Sequence, residues 1–288
     1  MATIDVDGYL RRLGTGDPGP PSVAGLHALH AAHLERVPYE CVQVQLGRPT
    51  TLDPAESVAR IVAGAGGYCF HLNGAFAALL DALGYDVVRH VAGVQGGGEA
   101  RPVGATGNHL ALTVSGLPAD DCPEGRWWVD VGLGDGFRAP LPLVPGVYRQ
   151  GVFTYRLGPS SVVPGGWRLD HDPRASFTGC DVAPEPAAAD AFDAQHAHLS
   201  TSPDSGFVRV FAVLRRDATG VDALRGCVLT RIDADGVRPR DLDTPAEWFG
   251  ALDEVFGLAL PDVDADARAA LWTRVRAGHE AWVAAGRS

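Results

Sequence analysis

Lysine is missing from this chain: all 24 basic residues among its 288 are arginine. Without an ε-amino group the protein cannot form a Schiff base with a carbonyl substrate or pyridoxal phosphate, and it has no lysine for a Walker A loop. No G-x-S-x-G stretch supplies a serine elbow, and Gly96-Gly97-Gly98 does not fit a strand–GxGxxG–helix arrangement. Nucleotide binding or serine hydrolysis through those motifs is therefore not expected. Positive charge is also scarce, the net charge being −11, so no basic patch is available for nucleic acid or an acidic membrane. No charged-then-apolar leader opens the chain and no long apolar run follows, which predicts a cytoplasmic location and no membrane segment. The five cysteines, at positions 41, 69, 122, 180 and 227, are odd in number, scattered and without a CxxC pair. That spacing reads as reduced thiols rather than a disulfide framework or a zinc site.

What is present suits a soluble globular protein, with 46% hydrophobic and 20% charged residues. The length exceeds the usual ceiling of one core, so two or three packed subdomains are expected. Residues 1–85 read as helical. Ser22 to Arg36 carries Leu26, Leu29 and Leu34, and Asp53-Pro54-Ala55-Glu56 offers an N-cap, an N1 proline and a capping-box glutamate for a helix through Val62. Residues 86–200 hold short strands, Val87 to Val94, His109 to Val114, Trp127 to Val131 and Phe153 to Leu157, suggesting a barrel or curled sheet. Residues 201–288 are mixed. Strands are expected at Phe207 to Leu214 and Cys227 to Ile232, joined around Thr219-Gly220, then helices opened by Thr244-Pro245-Ala246-Glu247 and from Ala265 to Ala285. The whole is an α+β chain. His27, His30 and His33 lie three apart on the second helix, but no carboxylate or cysteine completes a ligand set, so a partly solvated helix face is expected and no metal.

Chemistry concentrates around Cys69. In Gly66-Gly67-Tyr68-Cys69-Phe70-His71-Leu72-Asn73 two glycines precede the thiol, and Leu72, Phe76, Leu79, Leu80 and Leu83 then recur at helical spacing up to Gly84. Cys69 thus falls in a first turn, where free N–H groups and the helix dipole favour an anion and hence a thiolate. A buried cysteine beginning a core helix is the competing reading. Downstream lie Asn108-His109 and Trp128-Val129-Asp130, in two strands joined by the Gly-, Pro- and Asp-rich segment 115–126. Pairing Leu110 with Val129 and Leu112 with Trp127 places apolar side chains together and sets His109 directly opposite Asp130. Opposed residues have Cβ atoms about 5 Å apart, within reach of a carboxylate–imidazole bond. An ordinary cross-strand His–Asp pair is the alternative, but a nucleophile, a base and an orienting carboxylate are what thiol catalysis needs.

With these segments on view, the chain resembles the arylamine N-acetyltransferase family. The matching pieces are Leu29-His30-Ala31-Ala32-His33-Leu34 leading to Val37-Pro38-Tyr39-Glu40, Gly66-Gly67-Tyr68-Cys69-Phe70 with Asn73, and Asn108-His109-Leu110. Further along come Val129-Asp130-Val131-Gly132-Leu133-Gly134-Asp135-Gly136-Phe137-Arg138 with Pro140-Leu141, and Ser200-Thr201-Ser202-Pro203-Asp204-Ser205-Gly206-Phe207. The resemblance implies a helical bundle, a β-barrel and an α/β lid around a core like that of cysteine proteases. It also implies catalytic roles for Cys69, His109 and Asp130. Tyr39, Phe70, Gly134, Phe137 and Phe207 are the expected substrate-binding residues. The implied reaction is ping-pong: an acyl group passes from acetyl-CoA or a related acyl-CoA to Cys69, then to an arylamine-like acceptor. No bound cofactor is expected; the thioester is a co-substrate. Partners are a small-molecule amine and an acyl-CoA or acyl carrier protein donor, with a homodimer left open.

Three positions depart from the family pattern. Ala65 stands for the usual arginine, His71 for glutamate, and Cys41 for the asparagine of a Pro-Phe-Glu-Asn-type motif that reads Pro38-Tyr39-Glu40-Cys41. A lost arginine removes five donors near Glu40. His71, two residues past Cys69, is expected to face elsewhere, as pocket wall or structure. These changes bear on substrate choice. The alternatives are an amide synthase of secondary metabolism, taking an acyl chain from a carrier protein to form an amide or macrolactam, and a cysteine hydrolase sharing the Cys–His–Asp order.

Overall fold

Helix starts in this protein are set by short polar side chains that accept the otherwise unpaired first-turn N–H groups. In the computed structural model, which describes residues 4–285, Asp5 accepts from Gly8 to open α1 (Val6–Leu13), and Ser22 accepts from Gly25 to open α2 (Val23–Arg36). The two-residue strand β1 (Tyr39–Glu40) and the single turn α3 (Val42–Gln45) come next. Asp53 then caps α4 (Pro54–Val62), with proline at its first position. The expected capping box is absent there. The Glu56 carboxylate takes the N–H and hydroxyl of Thr51 and the guanidinium of Arg60, while the Asp53 N–H goes to the Thr51 hydroxyl. α5 (Cys69–Ala82) is the central helix, buried nearly all round from Cys69 to Leu80, and the chain leaves it through Gly84 at φ +86°.

Eight antiparallel strands follow: β2 (Asp86–Gly96), β3 (His109–Ser115), β4 (Trp127–Val129), β5 (Leu141–Pro142), β6 (Gly146–Gln150), β7 (Phe153–Pro159), β8 (Trp167–Asp170) and β9 (Phe177–Pro186). Their order, β5-β4-β3-β2-β9-β8-β7-β6, makes a sheet curled into a nearly closed barrel around Trp128, Phe137, Tyr155 and Leu169. Then α6 (Asp193–Thr201) and α7 (Gly206–Arg209) lead to a second sheet of β10 (Ala212–Arg216), β11 (Val221–Arg225), β12 (Val228–Asp233) and β13 (Gly236–Asp241). α8 (Pro245–Glu254), with a complete Thr244–Glu247 capping box, and α9 (Ala265–Ala284) cover it over a core of Trp248, Leu252, Phe256 and Leu271.

Several expectations change here. Phe207 lies in α7, a single turn, not in a strand, and Thr219-Gly220 joins β10 to β11, a strand the alternation argument passed over. The first 85 residues are not helical throughout. β1 pairs with β10, Tyr39 opposite Leu214, and on its other side Tyr39 bridges in parallel to Gly67. One short strand therefore ties the loop before Cys69 to the C-terminal sheet. The α2 histidines do not form a partly solvated face either: His30 and His33 are both fully buried, His33 bonding the Tyr9 hydroxyl at 2.8 Å.

Candidate active site

The loop that delivers Cys69 is held by close backbone packing. A Cβ on Gly66 would lie 2.0 Å from the Pro38 carbonyl oxygen, and one on Gly67 would lie 2.7 Å from the His71 Cβ. The Glu40 N–H donates to the Gly67 carbonyl at 2.9 Å. Tyr68 is the N-cap of α5 with extended backbone and contributes no side-chain cap, so its side chain takes up none of the first-turn N–H groups. Cys69 is the first helical residue, buried, with its Sγ 3.8 Å from the Asn108 carbonyl.

His109 opens β3 and bonds Asp130 through Nε2 at 2.7 Å, both side chains buried. Its Nδ1 is not engaged by Asp130, and the ring and the Cys69 thiol line one cavity. The strand register differs from the expected one by two residues: Leu112 pairs with Val129 and Val114 with Trp127, so His109 and Asp130 are diagonal neighbours. Apolar matching could not choose the register, because both faces of these strands are buried and either alignment pairs apolar residues. The connecting loop chooses it, carrying the same alignment through its Ala119–Cys122 bridge. A slip of two keeps each side chain on its face, since strand side chains alternate with period two, and so the pair still meets.

Asp130 is fixed from four sides. It accepts the Asn73 amide at 2.7 Å, the Gly132 N–H at 3.0 Å and the Trp128 indole N–H at 3.4 Å besides the imidazole. Asn73 donates also to the Leu110 carbonyl at 2.6 Å and accepts the Val131 N–H at 2.9 Å, which locks the helix carrying Cys69 to both strands. His30 accepts the Asp130 N–H at 3.1 Å through Nε2, and its Nδ1–H donates to the Arg138 carbonyl at 2.8 Å. Burial pushes His30 down to about 4 despite the nearby carboxylate, so it stays neutral and does not compete for the Asp130 charge. For His109 burial also disfavours the cation, but the Asp130 charge and hydrogen bond, with a smaller contribution from Cys69, outweigh it and raise the imidazole to about 10. The imidazolium therefore persists through neutral pH. A raised native value stabilises the fold fully below the ordinary value of 6.5, and that contribution is lost as pH climbs towards about 10. Denaturant midpoints measured across this window should fall in the wild type more steeply than in His109→Gln; parallel curves would contradict the assignment.

Gly132 closes the site from the Asp130 side. A Cβ there would lie 2.7 Å from the Cys69 Cα and 2.8 Å from the Asn73 amide nitrogen. Gly132→Ala is expected to displace Cys69 from His109 and cut thiol alkylation at neutral pH by about tenfold or more, since a misplacement of about 1 Å can cost 10²-fold. Alkylation at the wild-type rate would refute this.

The N-acetyltransferase family profile matches residues 22–265. The chain belongs to the arylamine N-acetyltransferase family. An arylamine N-acetyltransferase of Mycolicibacterium smegmatis is 31% identical over 93% of this chain and 98% of its own length. Proansamycin X synthase of Amycolatopsis mediterranei is 32% identical over 54% of this chain and 59% of its own. Among solved structures, the Nocardia farcinica arylamine N-acetyltransferase superposes with TM-score 0.80 at 31% identity, covering 94% of each chain. The Mycobacterium marinum arylamine N-acetyltransferase in complex with CoA superposes with TM-score 0.82 at 25% identity, over 94% of this chain and 98% of that one.

Within this N-acetyltransferase fold a cavity of about 650 Å³ is lined by Cys69 and His109 together with Tyr39, Phe207, Leu133 and Arg225. Tyr39 and Phe207 meet edge to face, centroids 6.2 Å apart. Phe70, Gly134 and Phe137, expected as substrate contacts, do not line it. Phe70 is buried against Phe192, and Phe137 stacks on His30 behind Asp130 at an interplanar angle of 6°. Gly134, at φ +75°, lets Tyr39 and Leu214 approach, since a Cβ would lie 3.3 Å from the Leu214 Cδ2. All three hold the wall from behind.

The departures from the family pattern are satisfied locally. Cys41 receives the Ala212 N–H at 3.2 Å and sits 3.5 Å from the Ala212 carbonyl, fastening β1 to β10; burial pushes its thiol up to about 12 and keeps it inert. His71 faces away from the Cys69 cavity, its Nε2 3.2 Å from the Thr50 hydroxyl and its ring 4.4 Å from that of Tyr68. Near Ala65, Arg60 bonds Glu56 and Ser57, and the buried Glu40 carboxylate accepts the Val42 N–H at 2.5 Å. Asn73 and His30 are the supports that spacing arguments missed. Asn73 was detectable, four residues after Cys69 and so on the same helix face. His30 was noticed only in a histidine triplet and a matching stretch, and neither marked it as a support of Asp130.

Proposed function

We propose that the protein is an N-acyltransferase working by a ping-pong route through acyl-Cys69. The observation that carries this reading is the 2.7 Å His109–Asp130 bond beside Cys69, in one cavity with the thiol. The thiolate attacks the carbonyl carbon of an acyl thioester such as acetyl-CoA. The oxyanion faces the free N–H groups at the start of α5, the C–S bond to the donor breaks, and the departing sulfur takes the proton from the His109 imidazolium. One thioester replaces another, so the step is nearly isoenergetic. The amine then attacks acyl-Cys69, its proton passes to His109, and Cys69 leaves as thiolate. Tyr39 and Phe207 restrict water around the intermediate.

Mixing the protein with acetyl-CoA and no amine should give one acetyl adduct by intact mass, mapped to the peptide containing Cys69, which an arylamine then discharges. An adduct elsewhere, or discharge equally fast without amine, would refute the transferase reading, the second outcome favouring a hydrolase. Amide synthesis from a carrier-protein thioester is the second reading, favoured by the relative named proansamycin X synthase. A donor series of CoA and carrier-protein thioesters, scored by adduct on Cys69, separates the two. Among the described residues no group of histidine, cysteine and carboxylate side chains could hold a metal, and no helix is long and apolar enough to cross a membrane.

A further inference from the structure

A second cavity, of about 610 Å³, adjoins the first and shares Ser176, Val210 and Arg225 with it. It lies between the barrel, α7, the C-terminal sheet and α9, and nothing in the chemistry above uses it. Its walls combine two features seldom found together. Of the seven large apolar side chains exposed among the described residues, three line it: Val210, Val237 and Trp282. Arg209 from α7, Arg225 from β11 and Arg274 from α9, all solvent-exposed, also line it, and none of the three makes a hydrogen bond or ion pair through its side chain among the described residues. The remaining polar walls are mostly occupied: the Asp135 carboxylate accepts the Ser176 N–H at 2.6 Å and hydroxyl at 2.8 Å, Gln45 donates to the Phe207 and Val208 carbonyls, and Arg174 pairs with Asp172. In a chain of net charge −11 this is a mainly apolar space whose lining holds three arginines without an ion-pair partner and one carboxylate, Asp135, already taken up by Ser176.

We propose that this cavity holds the distal part of an acyl group longer than acetyl, a mainly apolar chain that ends in a carboxylate. The assignment rests on the acyl-Cys69 reading and deepens it. While the chain is bound to the thiol, the space over Cys69 must release one thiol and admit an amine, so a long acyl group has to be led away through a connected opening. The edge at Val210 and Arg225, which both cavities touch, is where this proposal puts that opening. Apolar walls favour the methylene stem, and the carboxylate supplies the charge that Arg225 and Arg274 lack; a group made mostly of hydroxyls would find few unoccupied polar partners there.

The test uses thioesters of N-acetylcysteamine, which carry no phosphate, so nucleotide binding cannot enter the result. Acyl-Cys69 formation is followed by intact mass with the adipic acid monothioester and with the hexanoyl thioester, equal in chain length. The wild type should favour the carboxylate-ended chain by about fivefold to tenfold, as expected for exposed carboxylate–arginine pairs, and the ratio should fall towards unity in Arg225→Gln/Arg274→Gln. No preference in the wild type, a preference untouched by the substitutions, or an effect confined to the later amine step would overturn the proposal. A binding measurement makes failure of the acyl-enzyme reading distinguishable. In Cys69→Ala, tryptophan fluorescence should respond to adipic monoamide more strongly than to hexanamide, and Trp282→Phe should remove the difference. Equal responses to the two amides would refute the cavity assignment even where Cys69 is acylated; unequal responses with no acylation would leave the cavity and refute the covalent route.

Discussion

Cys69→Ala should form no acyl adduct with any thioester and lose amide-forming activity by about 10⁴-fold or more, because the variant removes the atom that bonds to the acyl group. No neighbour can replace it. Cys41, the nearest alternative thiol along the chain, is buried against β10 and held as a neutral thiol by that burial. Alanine is well suited to the first turn of a helix, and none of the close approaches at Gly66, Gly67 and Gly132 is to the Cys69 sulfur, so the fold should be retained. A thermal midpoint close to wild type, with no adduct, is the expected pair of results. Cys69→Ser keeps the size but offers a hydroxyl far less ready to ionise, and it too should fall near background. Amide formation above one per cent of wild type in Cys69→Ala would refute covalent catalysis at this residue.

Asp130→Asn carries the next largest effect, about 10³-fold to 10⁴-fold on acylation, as when the orienting carboxylate of a triad is made an amide. Two physical causes act together. The charge that holds the His109 imidazolium disappears, and burial alone then pushes that ring towards its neutral form. The second is the count of donors. Asp130 accepts from His109, Asn73, Gly132 and Trp128, and an amide brings one acceptor oxygen and an N–H₂ into a site that supplies only donors. At least one buried donor must then face another, a cost of about 1–3 kcal/mol. The checks are acyl-Cys69 formation by mass and the denaturant midpoint, which should drop with the rate. An acylation rate within tenfold of wild type would remove Asp130 from the mechanism.

The helix starts and the placement of Cys69 were legible because both are local. Asp53, Ser22 and Thr244 announce themselves by side-chain chemistry within four residues, and Cys69 follows its glycines directly. The His109–Asp130 meeting was legible for a different reason: alternation alone secures the shared face, even where the register argument missed by two. Long-range pairing was not legible. β1 is two residues long, and its partner β10 lies far along the chain, so no periodicity marks it. Phe70 and Phe137 show the same limit from another side, since an aromatic next to a nucleophile or in a family motif can face the core as readily as the cavity. His30 was hidden because a buried histidine bonded only to backbone has the same spacing as any apolar residue on its helix.

The Tyr39 bridge has a consequence for synthesis on the ribosome. Gly67, which delivers the thiol, is held on one side by Tyr39, and Tyr39 is held in turn by Leu214. The nucleophile's setting is thus finished only after about three quarters of the chain has emerged, since long-range strand pairs form late. The order in which the chain is made therefore leaves the placement of Cys69 to one of the last strands to appear, β10.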